Sequence, residues 1–237
     1  MQEFIGEFVG SALLLLLGAG VVANVILKNT KGNNGGWIVI AVGWSMAVFV
    51  GVYSSVYLGG SGHSNPAVSI ALSAIGKLES SLLPTYIIAQ FSGTMLGALL
   101  AFLVYKPHFD ATDDPDLLLA VFATSPAIDK PFFNFLAEFI GSFVLMFGAL
   151  LIASPATGLG ALEALPVGFL VLAIGLSLGG ATGYAINPAR DLGPRLIHTI
   201  LPIKGKGSSH WSYAWVPLLG PVTGALLGAW VFAVMGS

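Results

Sequence analysis

The sequence contains no cysteine and very little charge. Without cysteine it can build no disulfide, no thiolate nucleophile and no cysteine-based metal site, and a thiol-directed mercurial has nothing to attack. Only 8% of its 237 residues are charged, against 56% hydrophobic, and its mean hydropathy is +0.89. Soluble domains carry about a quarter of their residues as charges. So low a share, spread over long apolar runs, indicates a polytopic membrane protein. The net charge of −2 offers no basic surface for nucleic acid. No nucleophile–base constellation and no cluster of metal ligands stands out, so neither an enzymatic site nor a cofactor is expected. Met1-Gln2-Glu3 leads straight into a long apolar run, so no cleavable leader is expected.

What is abundant is apolar sequence and glycine, 31 residues of it. The hydropathy pattern predicts six membrane spans, at about 3–27, 37–58, 83–105, 134–153, 166–180 and 213–235. The longest connection, 106–130, carries Asp110, Asp113, Asp114 and Asp116 and a possible short surface helix over 117–123. Small residues recur four apart at Gly175, Gly179 and Gly183 and again at Gly220, Gly224 and Gly228, a pattern that lets membrane helices approach closely.

Between the second and third spans, and again between the fifth and sixth, one short stretch is written twice. His63-Ser64-Asn65-Pro66-Ala67-Val68-Ser69 is answered by Ala185-Ile186-Asn187-Pro188-Ala189-Arg190-Asp191. Asn is a strong helix N-cap and Pro suits the first helical position. Each box therefore starts a helix, to about Ile75 and about Ile197, roughly 16 Å long and about half a bilayer core. A lone Asn-Pro-Ala is an ordinary capped helix start. Two of them, heading half-length helices in corresponding halves of a very apolar chain, point to a transport site. The halves also share Glu7-Phe8-Val9-Gly10 with Glu138-Phe139-Ile140-Gly141. Three spans per half is an odd number, so residues 1–106 and 134–237, joined by 107–133, are expected to form one transmembrane domain of inverted repeats.

Arg190 is an ionisable group at membrane depth, which is a functional position by default. Its guanidinium offers donors to passing oxygens and repels cations; the plainer alternative is an ion pair with Asp191. Glu7 and Glu138, symmetrically placed, are expected to accept hydrogen bonds from non-helical backbone of the re-entrant loops. A proton relay through them is the competing reading.

These residues resemble the aquaporin superfamily (the major intrinsic proteins) over essentially the whole chain: paired Asn-Pro-Ala boxes, a repeated Glu-Phe-x-Gly and six spans. Within it the chain is most similar to the glycerol facilitator, or aquaglyceroporin, branch, on Asp191 after the second box and on Pro217-Leu218 in the last span. Ser64 departs from the branch, which carries a bulky apolar residue before the first Asn. The resemblance implies an all-α fold of six transmembrane helices and two re-entrant half-helices. It implies a passive channel for glycerol and other small uncharged solutes that also passes water and excludes ions and protons. It further implies a homotetramer, multi-pass in a plasma membrane; short tails suggest a bacterial inner membrane.

By the same resemblance the narrow filter is built by Gly175, Tyr184, Arg190 and one residue of the second span, where strict counting gives Ser45 but Trp44 is preferred, because Trp44-Ser45-Met46-Ala47-Val48 resembles the branch's Trp-Gly-Leu-Gly-Val. Asn65 and Asn187 would donate to the permeant at the midplane, and His63 would line the pore or brace the first box. Asp191 is counted with the pathway. The family places both termini in the cytoplasm, yet Lys77 would then be the inner-loop lysine, with Lys28, Lys31, Lys106, Lys130, Lys204 and Lys206 outside, against the positive-inside rule. Two alternatives remain: a water-selective pore, and a proton-coupled carrier of a small organic acid using Glu7, Glu138 or His63.

Overall fold

The computed structural model describes residues 1–152 and 160–235. They form helices α1 (Gln2–Ile26), α2 (Trp37–Tyr57), α3 (Pro66–Ala74), α4 (Leu83–Ala111), α5 (Pro115–Ala120), α6 (Pro131–Ile152), α7 (Ala164–Ser177), α8 (Pro188–Ile200) and α9 (Trp215–Met235), with no strand among the described residues. Six of these, α1, α2, α4, α6, α7 and α9, are long and apolar enough to cross a bilayer, α4, α7 and α9 each together with a 3-10 turn before it. The expected end of the fourth span at Ala153 and the link after it, 154–159, lie outside the described residues.

The short helices α3 and α8 begin where their caps dictate. Asn65 accepts from the Ala67 amide at 3.0 Å. Asn187 accepts from Ala189 at 3.0 Å and Arg190 at 3.2 Å. In both, proline occupies the first turn, where its missing N–H costs no helical bond.

Lipid is as apolar as leucine, so the long helices associate through close packing rather than hydrophobic drive. α1 packs along α4, and α6 along α9. A Cβ at Gly97 would lie 2.3 Å from the Ala12 carbonyl oxygen, and one at Gly224 would lie 2.1 Å from that of Phe139. Only glycine permits either approach. α3 sits against α9 through Ala67, Ala71, Ala225 and Ala229.

Two expectations are corrected. α4 does not stop near Tyr105 but continues through Pro107 to Ala111. An i,i+4 pair between Lys106 and Asp110 and a buried Phe109, its ring tilted against those of Phe102 and Phe122 with centroids 5.2 and 5.5 Å away, hold the extra turns. The helix expected on the surface over 117–123 begins and ends earlier, as α5, capped by Asp114: Pro115, Asp116 and Ala120 are exposed, while Leu118, Leu119 and, just after the helix, Phe122 are buried. The connection between the halves is thus folded into one end of the helix bundle.

Candidate functional site

The two boxes are seated by the residues just before them. Ser64 and Ile186 both take left-handed backbone conformations, φ 45° and 44°, a rare geometry for residues with a side chain. Their carbonyls face the opposite loop. Asn65 Nδ2 donates to the Ile186 carbonyl at 2.8 Å, and Asn187 Nδ2 donates to the Ser64 carbonyl at 2.8 Å. Each asparagine thus spends one amide hydrogen on the other loop and retains a second.

Backbone at membrane depth must find partners inside the protein, and two fully buried carboxylates supply them. Glu7 accepts from the His63 and Ser64 amides at 3.0 and 2.8 Å, and from Ser55 and Gln90 at 3.0 and 2.8 Å. Glu138 accepts from the Ala185 and Ile186 amides at 2.9 and 2.8 Å and from Thr182 at 2.6 Å. His63 shares a hydrogen bond of 3.0 Å with Ser69, whose hydroxyl also accepts from Gln90.

Two cavities follow one another along the bundle. The narrower, about 140 Å³, runs between the boxes and an apolar wall that includes Val48, Val52, Val68 and Val171. His63, Asn65 and Asn187 line it. The wider, about 930 Å³, is bounded by the end of α1 and the starts of α2 and α9, so it opens at the end of the bundle opposite both termini. Trp44, Tyr184 and Arg190 line both cavities and mark the constriction between them.

At that constriction the Arg190 guanidinium carbon stands 4.3 Å from the centroid of the Trp44 ring, a cation–π contact. Nη1 of Arg190 and the hydroxyl of Tyr184 are buried with no hydrogen-bond partner among the described residues. Unpartnered buried donors are costly unless something else meets them. Here a passing oxygen can. The Trp44 ring presses on α1 where a Cβ at Gly18 would fall 2.2 Å from it. Ser45 lines neither cavity; its hydroxyl donates to the Gly168 carbonyl at 2.7 Å and ties α2 to α7.

Two residues expected along the passage stand behind it. A Cβ at Gly175 would lie 2.9 Å from Cζ of Tyr184, so the space beside this glycine is taken by the tyrosine ring rather than left open. Asp191 is fully buried away from both cavities. One of its oxygens pairs with Arg195 at 2.7 Å, and the other accepts from the Thr124 amide at 2.7 Å and hydroxyl at 2.6 Å. Arg195 also donates to the carbonyls of Thr124, Ser209 and His210. The expected alternative pair, Arg190 with Asp191, is not formed; Asp191 takes Arg195 instead.

Sequence reasoning passed over Arg195, Trp37 and Gly18. Arg195 was signalled by its i,i+4 spacing from Asp191 on one helix. Trp37 and Gly18 carried no local signal, because their partners lie on other helices.

The profile of the family described as Major intrinsic protein matches residues 1–232. A protein of Thermotoga maritima named "Probable glycerol uptake facilitator protein" is 54% identical over 98% of this chain and 100% of that one. "Glycerol uptake facilitator protein 3" of Lactiplantibacillus plantarum is 48% identical over 98% of this chain and 96% of its own length. Among solved structures, the aquaglyceroporin from Plasmodium falciparum superposes with a TM-score of 0.87 at 32% identity, covering 98% of this chain and 95% of that one. The chain belongs to the major intrinsic protein family.

Proposed function

We propose that this protein is a passive channel for glycerol and other small uncharged solutes, with water passing by the same route. The relatives at 48–54% identity named glycerol uptake facilitators support the solute class. The observation that carries the reading is the constriction itself: two aromatic rings, Trp44 and Tyr184, and one guanidinium, Arg190, shared by two cavities. A polyol has a carbon backbone that slides on ring faces and hydroxyls that meet Arg190 Nη1 and the Tyr184 hydroxyl. At the boxes, Asn65 and Asn187 each keep one amide hydrogen for the permeant. Gly175 and Asp191 act indirectly, one by seating Tyr184 and the other by fixing α8.

Supporting the channel over a proton-coupled carrier, each oxygen of Glu7 and of Glu138 already accepts a hydrogen bond from loop backbone or a neighbouring side chain. Residues 1–106 and 134–237 are taken as inverted repeats, a reading supported by the matched roles of Glu7 and Glu138 and the reciprocal asparagine bonds. A homotetramer in a bacterial plasma membrane, termini in the cytoplasm and the wide cavity outside, completes the proposal; it rests on the family resemblance and the bacterial relatives.

Stopped-flow light scattering of proteoliposomes tests the function. Fast re-swelling in glycerol after the initial shrinkage is expected. Fast shrinkage in an impermeant sugar without glycerol re-swelling would instead identify a water-selective pore.

A further inference from the structure

We propose that Trp37 is a positioning residue for the constriction: it pins the Tyr184 ring against α7 and thereby sets the largest solute that passes. The proposal rests on the channel reading above and deepens it. Trp37 opens α2, directly after Gly36, whose φ of 86° turns the chain into the helix. Its indole lies on the wall of the wide cavity, about two helix turns from Trp44 along α2.

Three contacts converge there. The indole Nε1–H of Trp37 donates to the Gly175 carbonyl at 2.9 Å. Its ring meets that of Tyr184 edge-on, centroids 5.8 Å apart and planes at 77°, the favoured geometry for an aromatic pair. Both rings crowd Gly179, where a Cβ would stand 2.4 Å from Tyr184 Cδ1, 2.7 Å from Trp37 Cζ2 and 2.5 Å from the Gly175 oxygen. The glycines at 175 and 179 therefore form a seat for two rings rather than a helix-packing stripe.

The carbonyl is available for a structural reason. α7 ends at Ser177, so Gly175 lies in its last turn, where carbonyls have no following helical N–H to meet them. Left alone, that oxygen would offer an acceptor beside the constriction. Capped by the indole, it becomes an anchor for Trp37. Tyr184 needs such an anchor: its backbone is left-handed, φ 38°, and its hydroxyl is bonded to nothing among the described residues. The ring is held by packing alone, with Gly175 behind it and Trp37 against its edge.

The test uses the full chain in proteoliposomes and reads permeability ratios, which do not depend on how much protein is folded. Erythritol, one carbon longer than glycerol, is the probe of width. In Trp37→Leu, which removes both contacts, the erythritol-to-glycerol ratio is expected to rise at least about threefold, the scale of one net hydrogen bond. Trp37→Phe keeps a ring edge but loses the N–H, and a smaller rise in the same direction is expected. In a Tyr184→Ala background, Trp37→Leu should leave the ratio unchanged, because the group it positions is gone.

Glycerol, erythritol and water fluxes falling together at constant ratio would overturn the proposal and reduce Trp37 to a folding role. A ratio shift that persists without the Tyr184 ring would overturn the route through Tyr184. If the unsubstituted protein conducts glycerol and the Trp37 variants match it, the inference fails alone. If the unsubstituted protein conducts no glycerol, the channel reading fails and takes the inference with it.

Discussion

A methyl group at Gly175 would stand 2.9 Å from Cζ of Tyr184 and 3.0 Å from its hydroxyl, closer than a Cβ tolerates. Gly175→Ala must therefore drive the ring toward the passage. One methylene of misfit in a fitted site changes discrimination by about tenfold or more. Glycerol permeability of Gly175→Ala is expected to fall by about tenfold while water, a smaller permeant, falls less, both measured by stopped-flow light scattering. Equal losses would mean that Tyr184 gives way without narrowing the slot. Family resemblance placed Gly175, Tyr184 and Arg190 together from the sequence, and the same reading favoured Trp44 over the Ser45 that strict counting gives. Their contacts were not legible: which side of α2 meets the passage depends on Gly18 of α1 admitting the Trp44 ring, a relation between residues 26 positions apart on separate helices.

The half-helices were legible to within a few residues because their starts are local chemistry, an Asn cap followed by Pro. The end of α4 and the burial of α5 were not, because both depend on Phe102, Phe109 and Phe122 meeting across separate segments. The same long-range dependence governs α8. Asp191, Arg195 and Thr124 bind the segment after α5 and the segment before α9 to the helix that carries Arg190. Arg195 and Asp191 are both fully buried, and removing one partner of such a pair strands the other charge, at a cost of about 3–5 kcal/mol. Asp191→Ala is therefore expected to lower thermal stability in detergent sharply, whereas the combined replacement Asp191→Ala with Arg195→Leu should recover part of the loss. A single substitution as stable as the parent would show that Arg195 finds enough compensation in the carbonyls of Thr124, Ser209 and His210.

Across the whole molecule, charge is sparse except at the ends of the bundle; Asp116 and Asp129 line the wide cavity, and from the constriction inward the charged side chain on the wall is Arg190. Arg190 stands at the constriction, 4.3 Å from the Trp44 ring, and α3 and α8 both direct their N-termini at the boxes, where the asparagines of the two loops exchange hydrogen bonds. Each helix N-terminus carries roughly half a positive charge. A cation would thus meet one positive barrier at the constriction and a second between the boxes, and positive half-helix ends with a pore arginine are a known means of excluding cations and protons. The two barriers are separable by substitution. In proteoliposomes with an internal pH indicator, the protein is expected to pass glycerol without dissipating an imposed pH gradient. Arg190→Ala removes the barrier at the constriction only, so it should widen the slot to larger polyols while the gradient still persists, held by the box barrier. Collapse of the gradient in Arg190→Ala would assign proton exclusion to the guanidinium alone, and collapse in the unsubstituted protein would remove both barriers from the account and favour a proton-conducting route.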